Sequence, residues 1–118
     1  MNYGNHLAND KVLTLCHEAR VRWLRELGHS ELDIFGNALI QSDTMIMYKS
    51  QGHIGDNISI ELSLGDFNSK AFDLFYKIVN LDNGVEIARI KTGLLHFDYK
   101  LNSITNAHDD FLLYLKGL

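Results

Sequence analysis

The 118-residue chain contains no proline, one cysteine and one tryptophan. Without proline, the strands keep every donor of their hydrogen-bond ladders, which favours long uninterrupted strands. The lone cysteine, Cys16, excludes a disulfide within the chain and favours a reducing compartment, so we expect a cytoplasmic protein. No run approaches the roughly 20 consecutive apolar residues of a membrane-spanning helix. We therefore expect no membrane partner.

The chain also has fewer positive than negative side chains. It contains 11 lysines and arginines and 15 aspartates and glutamates, which gives a net charge of -4. Because nucleic-acid binding depends on cations that neutralise phosphates, this balance predicts no nucleic-acid partner. The six histidines and the one cysteine show no metal-ligand spacing, so we expect no metal and no other cofactor. The length and the 46% hydrophobic content indicate one soluble domain over residues 1–118.

The strongest pattern in the chain is an apolar helix over residues 9–27. Asn9 is a favourable N-cap, and Gly28 is a favourable residue at which a helix ends. Apolar residues recur at intervals of three and four, at Val12, Leu13, Cys16, Ala19, Trp23, Leu24 and Leu27. Leu15 and Val21 add apolar surface outside that face, which predicts a helix enclosed by other structure.

The pattern changes to that of β-strands between residues 38 and 99. The strands are expected over residues 38–49, 57–64, 71–80 and 85–99. The dipeptide Asn83-Gly84 indicates a hairpin turn, and Gly93 marks a bulge, a bend or a close approach of other atoms. A short helix is expected over residues 106–116. A sheet and a helix that are both apolar bury each other when the sheet curls around the helix, which predicts an α+β fold.

Four segments, in this order along the chain, resemble a known family. They are Asn2-Tyr3-Gly4-Asn5-His6-Leu7-Ala8-Asn9-Asp10, His17-Glu18-Ala19-Arg20, Gly55-Asp56 and Ala88-Arg89-Ile90-Lys91-Thr92-Gly93. The run is similar to that of hotdog-fold thioesterases of the 4-hydroxybenzoyl-CoA thioesterase-like, or acyl-CoA thioesterase, branch. In that family a Gly-His-x-x-Asn turn leads into a helix that carries Glu-Ala-Arg. The resemblance implies a curved antiparallel sheet wrapped around a long central helix, in a homodimer or a dimer of dimers with acyl-thioester sites at the dimer interface.

The resemblance implies an acyl-thioester hydrolase that cleaves an acyl-CoA or a related carrier. We expect Glu18 to act as the base or the nucleophile. His6 and Asn9 would lie at the helix N-terminus, where free N–H groups suit a developing oxyanion. Each residue also has a plainer interpretation: Glu18 would be a solvated residue paired with Arg22, Asn9 a helix cap and His6 a loop residue.

The remaining site residues are expected to bind substrate. Residues 1–8 would form the active-site loop. The predicted substrate-binding residues are Asn2, Tyr3, Gly4, Asn5, Arg89 and Lys91. Arg89 and Lys91 would bind the phosphates of a CoA-like carrier, although such residues more often lie on the solvent-exposed face of an edge strand. Asp43, in an otherwise apolar strand, is expected at a sheet edge or in a dimer contact, and Cys16 in the core.

Two departures from the family pattern lead to a second hypothesis. The family's catalytic Asp would fall immediately before Met1, and its first strand lies further upstream, so we expect both to be absent from this chain. Asn5 also replaces the usual Gly before the histidine, which alters how the turn donates its N–H groups. The alternative function is therefore a catalytically inactive hotdog protein that binds acyl groups or has a structural role.

Overall fold

A computed structural model describes residues 9–50 and 55–118 of the chain. Helix α1 spans Asn9–Glu26, close to the predicted residues 9–27. Strands β1 (Ala38–Tyr48), β2 (Ile58–Phe67), β3 (Ala71–Asn80) and β4 (Glu86–Asp98) follow, and then come the two-residue strand β5 (Ser103–Ile104) and helix α2 (Asp109–Lys116). The expected α+β order of one long helix, four strands and a short terminal helix is confirmed.

The strands form one antiparallel sheet in the order β1-β4-β3-β2, and β5 pairs with the end of β4. β3 and β4 are joined through Asn83-Gly84, where Gly84 has φ +72°, a conformation that glycine adopts without steric cost. Within the described residues, β1 and β2 are therefore the two edges of the sheet. The apolar core lies between its inner face and the two helices.

Helix α1 faces the core with one narrow stripe. Val12, Cys16, Arg20 and Leu24 succeed one another at intervals of four, and all are 4% exposed or less. The other side of the helix is open in the single chain, where Leu13 is 39% exposed. Three residues of the stripe are apolar, as the periodicity predicted, whereas the buried arginine was not anticipated.

Helix α2 covers the end of the core with Phe111 and Leu115, both 1% exposed. It begins at Asp109, three residues later than the predicted range of 106–116. The N-cap is His108, whose Nδ1 accepts a hydrogen bond from the Asp110 N–H at 3.1 Å. An imidazole acceptor thus takes the place of the hydroxyl or carboxamide that usually marks a helix start.

Two glycines allow close approaches between neighbouring strands. Gly65 belongs to β2, which continues to Phe67 instead of ending at Leu64 as predicted, and a methyl group at Gly65 would collide with the Phe75 ring. At Gly93 a methyl group would collide with the Asp43 carboxylate, and the pairing of β1 shifts by a bulge at this point. The bulge or close approach expected at Gly93 is confirmed, and Asp43 lies exposed on an edge strand.

Candidate active site

The predicted mouth of the site falls largely outside the described part of the chain. The residues concerned are Asn2, Tyr3, Gly4, Asn5 and His6. Asn9 is the first residue of α1, and its backbone alone is described. The roles assigned to these six residues therefore stay predictions.

Glu18 lies on the exposed side of α1, beside a cleft of about 520 Å³ between this helix and β2. Arg22 and Glu26 give the cleft a charged rim, while Ile58 and Ile60 of β2 give it an apolar wall. Within residues 9–50 and 55–118 Glu18 forms no ion pair, so the pairing with Arg22 that the plainer interpretation of Glu18 requires is not made. In the single chain the Glu18 side chain is exposed to solvent.

A second cavity of about 640 Å³ continues along the same edge of β2. It shares Trp23 and Leu62 with the first cleft, and part of its wall is formed by Leu115 and Leu118. Its lining is mostly apolar, and its volume lies in the range of small-molecule sites. The cleft and the cavity together form a groove that has a carboxylate at one end and an apolar slot at the other.

A buried polar cluster on the inner face of the sheet was not predicted from the sequence. Arg20 is 4% exposed, and its Nε donates to Glu31 Oε1 at 2.7 Å. Its Nη1 donates to the Tyr76 hydroxyl at 2.8 Å, and this hydroxyl is 2.8 Å from Thr92 Oγ1. Burial raises the pKa of Tyr76, so its hydroxyl stays protonated. Arg20 thereby ties α1 to β3 and β4.

The spacing of residues in the sequence could have indicated this buried cluster. Arg20 stands four residues after Cys16 and four before Leu24, in the middle of an otherwise apolar stripe. An arginine in that position needs buried partners. Cys16 itself is 1% exposed, and burial raises the pKa of its thiol to about 11, which confirms its role in the core and disfavours a nucleophilic one.

Arg89 and Lys91 lie on the face of the sheet opposite α1, because they alternate along β4 with the buried Ala88, Ile90 and Thr92. Arg89 pairs with Glu86. Lys91 Nζ lies 2.9 Å from Asp43 Oδ2 and 3.6 Å from Asp73 Oδ1. One chain therefore does not bring these cations to the cleft beside Glu18, and their binding to a carrier's phosphates stays a prediction.

The described residues contain no group of three or more histidine, cysteine or acidic side chains placed to hold a metal ion. Of the helices in the described ranges, none has the length and apolar character needed to cross a membrane.

With this geometry in place, comparison with known proteins identifies the family. The sequence profile of the thioesterase-like superfamily matches residues 1–114. The chain belongs to the thioesterase-like superfamily. No curated protein matches this thioesterase-like chain.

Solved structures share the fold of this thioesterase-like protein. Slr0204, a 1,4-dihydroxy-2-naphthoyl-CoA thioesterase from Synechocystis, matches with a TM-score of 0.83 at 21% identity, over 96% of this chain and 85% of that chain. SAV2348 from Staphylococcus aureus, in complex with CoA, matches with a TM-score of 0.87 at 16% identity, over 99% and 75%. The gentisyl-coenzyme A thioesterase BH1999 matches with a TM-score of 0.77 at 17% identity, over 91% and 86%. The hotdog fold expected from the sequence is confirmed.

Proposed function

We propose that this protein is an acyl-thioester hydrolase that acts on an acyl-CoA or a related acyl carrier. The observation that carries the proposal is the superfamily match, which extends over residues 1–114. The similar folds include two proteins described as CoA thioesterases and one bound to CoA, which favours CoA as the carrier. The groove along β2 supports the same interpretation, because it has a carboxylate at one end and an apolar slot at the other.

Thioester hydrolysis requires a base or nucleophile and donors for the oxyanion. Glu18 supplies the carboxylate, and the first turn of α1, which begins at Asn9, supplies N–H groups that have no partner within the helix. These two parts stand nine residues apart on one helix, a rise of about 13 Å. A single chain therefore cannot place both of them on one carbonyl carbon, and we assign them to different protomers of a homodimer.

Such a dimer also accounts for the open edge of β1. This strand has 11 residues, and on it Met45 and Met47 are 61% and 51% exposed. A long edge strand with apolar side chains is a ready surface for pairing with another copy. We propose a homodimer, or a dimer of dimers, in which Glu18 of one protomer faces the α1 N-terminus of its partner. Asn2, Tyr3, Gly4, Asn5 and His6 would then complete the mouth of the site, in a cytoplasmic enzyme formed by one domain.

Release of CoA thiol from a panel of aliphatic and aromatic acyl-CoAs tests the activity directly. The only cysteine of the protein is buried, so a thiol-reactive dye reports the product and not the enzyme. Glu18→Gln should lower kcat at least about 100-fold, the scale of a lost general base. Glu26→Gln is the matched control, because Glu26 lies on the same rim of the cleft. Equal turnover by Glu18→Gln and wild type would remove Glu18 from the mechanism.

The exposure of Glu18 in the single chain favours one alternative, a hotdog protein that binds acyl groups without cleaving them. Calorimetric titration with a non-hydrolysable thioether analogue of acyl-CoA distinguishes the two functions. Binding of the analogue, together with no thiol release over the whole panel, would support the binder and refute the hydrolase.

The dimer has a test of its own. Sedimentation at micromolar concentration should give twice the mass of one chain. The double substitution of Met45 and Met47 by Lys should shift the equilibrium towards the monomer, because each lysine places a charge beside the open edge. Leu101→Lys is the control, since Leu101 is 74% exposed and lies outside the strands. A wild-type monomer would contradict the two-protomer site.

A further inference from the structure

His96 of β4 has a buried imidazole ring with no hydrogen-bond partner among the described residues. The residue is 1% exposed, and within the described residues neither Nδ1 nor Nε2 has a hydrogen-bond partner. Its backbone is fully engaged, because its N–H donates to the Lys70 carbonyl at 2.9 Å and its carbonyl accepts from the Thr105 N–H at 2.9 Å. Most buried polar side chains in proteins are paired, so an orphaned imidazole requires an explanation.

Aromatic rings surround this imidazole, and one of them belongs to the terminal helix. The Phe72 ring of β3 lies 5.6 Å from the His96 ring, and the Phe111 ring of α2 lies 5.5 Å from it. Since Phe111 comes from α2, the burial of His96 depends on this helix of eight residues being docked. The helix docks through the buried Phe111 and Leu115 and the partly buried Leu112 and Tyr114, and Trp23 Nε1 donates to the Tyr114 hydroxyl at 3.1 Å.

We propose that α2 is an acid-released cover, which lifts from the core when His96 takes up a proton. The imidazolium is a charge that needs water, and water reaches it only when Phe111 has moved away. Burial lowers the pKa of His96 to about 4 while α2 is docked, against 6.5 in water. The open state therefore binds the proton more tightly, and opening becomes more favourable as the pH falls from 6.5 towards 4.

Release of α2 would change the groove along β2. Leu115 and Leu118 form part of the wall of the cavity of about 640 Å³, which Trp23 and Leu64 also line. Lifting α2 removes that part of the wall and opens the slot to solvent. Acid would thus control access to the apolar part of the groove, whichever ligand occupies it, and this regulation does not depend on the chemistry proposed at Glu18.

Other titratable and charged groups surround His96 at a greater distance, and none of them forms a hydrogen bond or an ion pair with it within the described residues. On β1, β3, β4 and α2 and in the residues just before β3 and α2 they are Asp43, Tyr48, Lys70, Asp73, Tyr76, Lys77, Glu86, Arg89, Lys91, Asp98, His108, Asp109, Asp110, Tyr114 and Lys116. The His29 ring lies 6.3 Å from the Phe111 ring. Asp73 and Lys91 pair with each other on the opposite face of the sheet. His108 is the one that needs a control, because its Nδ1 caps α2 and would cease to accept once protonated.

Amide hydrogen exchange, corrected for the intrinsic pH dependence of exchange, measures the opening of α2. With an open-state pKa of 6.5, the opening constant should rise about 30-fold between pH 7.5 and pH 5. The fluorescence of Trp23, the only tryptophan, should shift to the red over the same range as its contact with Tyr114 is lost. His96→Phe should abolish both changes, whereas His108→Asn, which keeps a capping acceptor, should retain them.

Two results would overturn the proposal. One is an unchanged pH response in His96→Phe, or in His96→Leu if the first variant does not fold. The other is found in the wild type alone: β3 and β4 amides that lose protection in parallel with those of α2 would mean that acid unfolds the whole domain and not its terminal helix.

Discussion

β2 and β3 carry the same alternation of apolar and polar residues, but they are buried to different depths. On β3 the inward residues Phe72, Leu74, Tyr76 and Ile78 are all 2% exposed or less. On β2 the inward residues Ile58, Ile60, Leu62 and Leu64 are only half-buried. β3 lies between two strands, whereas β2 lies at an edge of the described sheet. Alternation thus reports which face of a strand is apolar, and the neighbours decide how deeply that face is buried.

The position of α1 adds to this difference. Arg20 fastens the helix to Tyr76 of β3, whose hydroxyl is bonded in turn to Thr92 of β4. No hydrogen bond between side chains ties α1 to β2 among the described residues. The groove opens on the side of the helix that is not fastened. The same arrangement gives the molecule a closely packed half, built on β3 and β4, and an accessible half built on β2.

The largest expected effect compares two leucines on one rung of the sheet, since Leu64 pairs directly with Leu74. Leu74→Ala should lower the free energy of unfolding by about 3 kcal/mol, because it removes a side chain that is only 2% exposed and leaves a cavity behind. Leu64→Ala should cost about half as much, since part of that side chain is already in water. Urea unfolding of both variants measures the difference. Equal losses would mean that another molecule or copy covers β2 in solution.

A smaller effect is expected from loosening α1. Arg20→Met should lower the free energy of unfolding by about 2 kcal/mol, because the Tyr76 hydroxyl and the Glu31 carboxylate lose a buried donor. Arg22→Met is the matched control on the exposed side of the same helix, and it should leave the unfolding midpoint unchanged. If the two variants were equally stable, the network around Arg20 would not be what holds the helix.

The smallest effect is expected on the outer face of the sheet. The hydrogen bond from Lys91 lowers the pKa of Asp43, but both side chains are partly in water, where solvent screens such a pair. Lys91→Met should therefore leave the urea midpoint within experimental error. A clear loss of stability would indicate that this face is covered in the assembled protein.

Much of the fold followed from local patterns. The start of α1 at Asn9 and the turn at Asn83-Gly84 depend on residues adjacent in sequence or on a backbone conformation that few residue types adopt. Gly93 marked a close approach, although the group that it meets, the Asp43 carboxylate, belongs to another strand. The extension of β2 through Gly65 was missed, because it depends on the Phe75 ring of another strand. A glycine in a turn and a glycine beneath a neighbour's ring look alike in the sequence.

The candidate site was less accessible to prediction. Glu18 was placed correctly on the long helix, but the sequence did not reveal that it faces a cleft with β2 or that it is exposed in the single chain. Arg89 and Lys91 lie across the sheet from that cleft. Nothing in the sequence indicated that His96 would be buried without a hydrogen-bond partner, since a histidine in an apolar strand is compatible with many surroundings.

The sequence by itself determined the elements, their order and the family, because helix and strand periodicity and the caps and turns are properties of neighbouring residues. The tertiary structure alone decided which apolar face became a closed core and which became a groove, and which polar groups were buried with partners or without. These outcomes depend on contacts between residues far apart in the chain, such as Arg20 with Tyr76 and His96 with Phe111, and no local pattern encodes them.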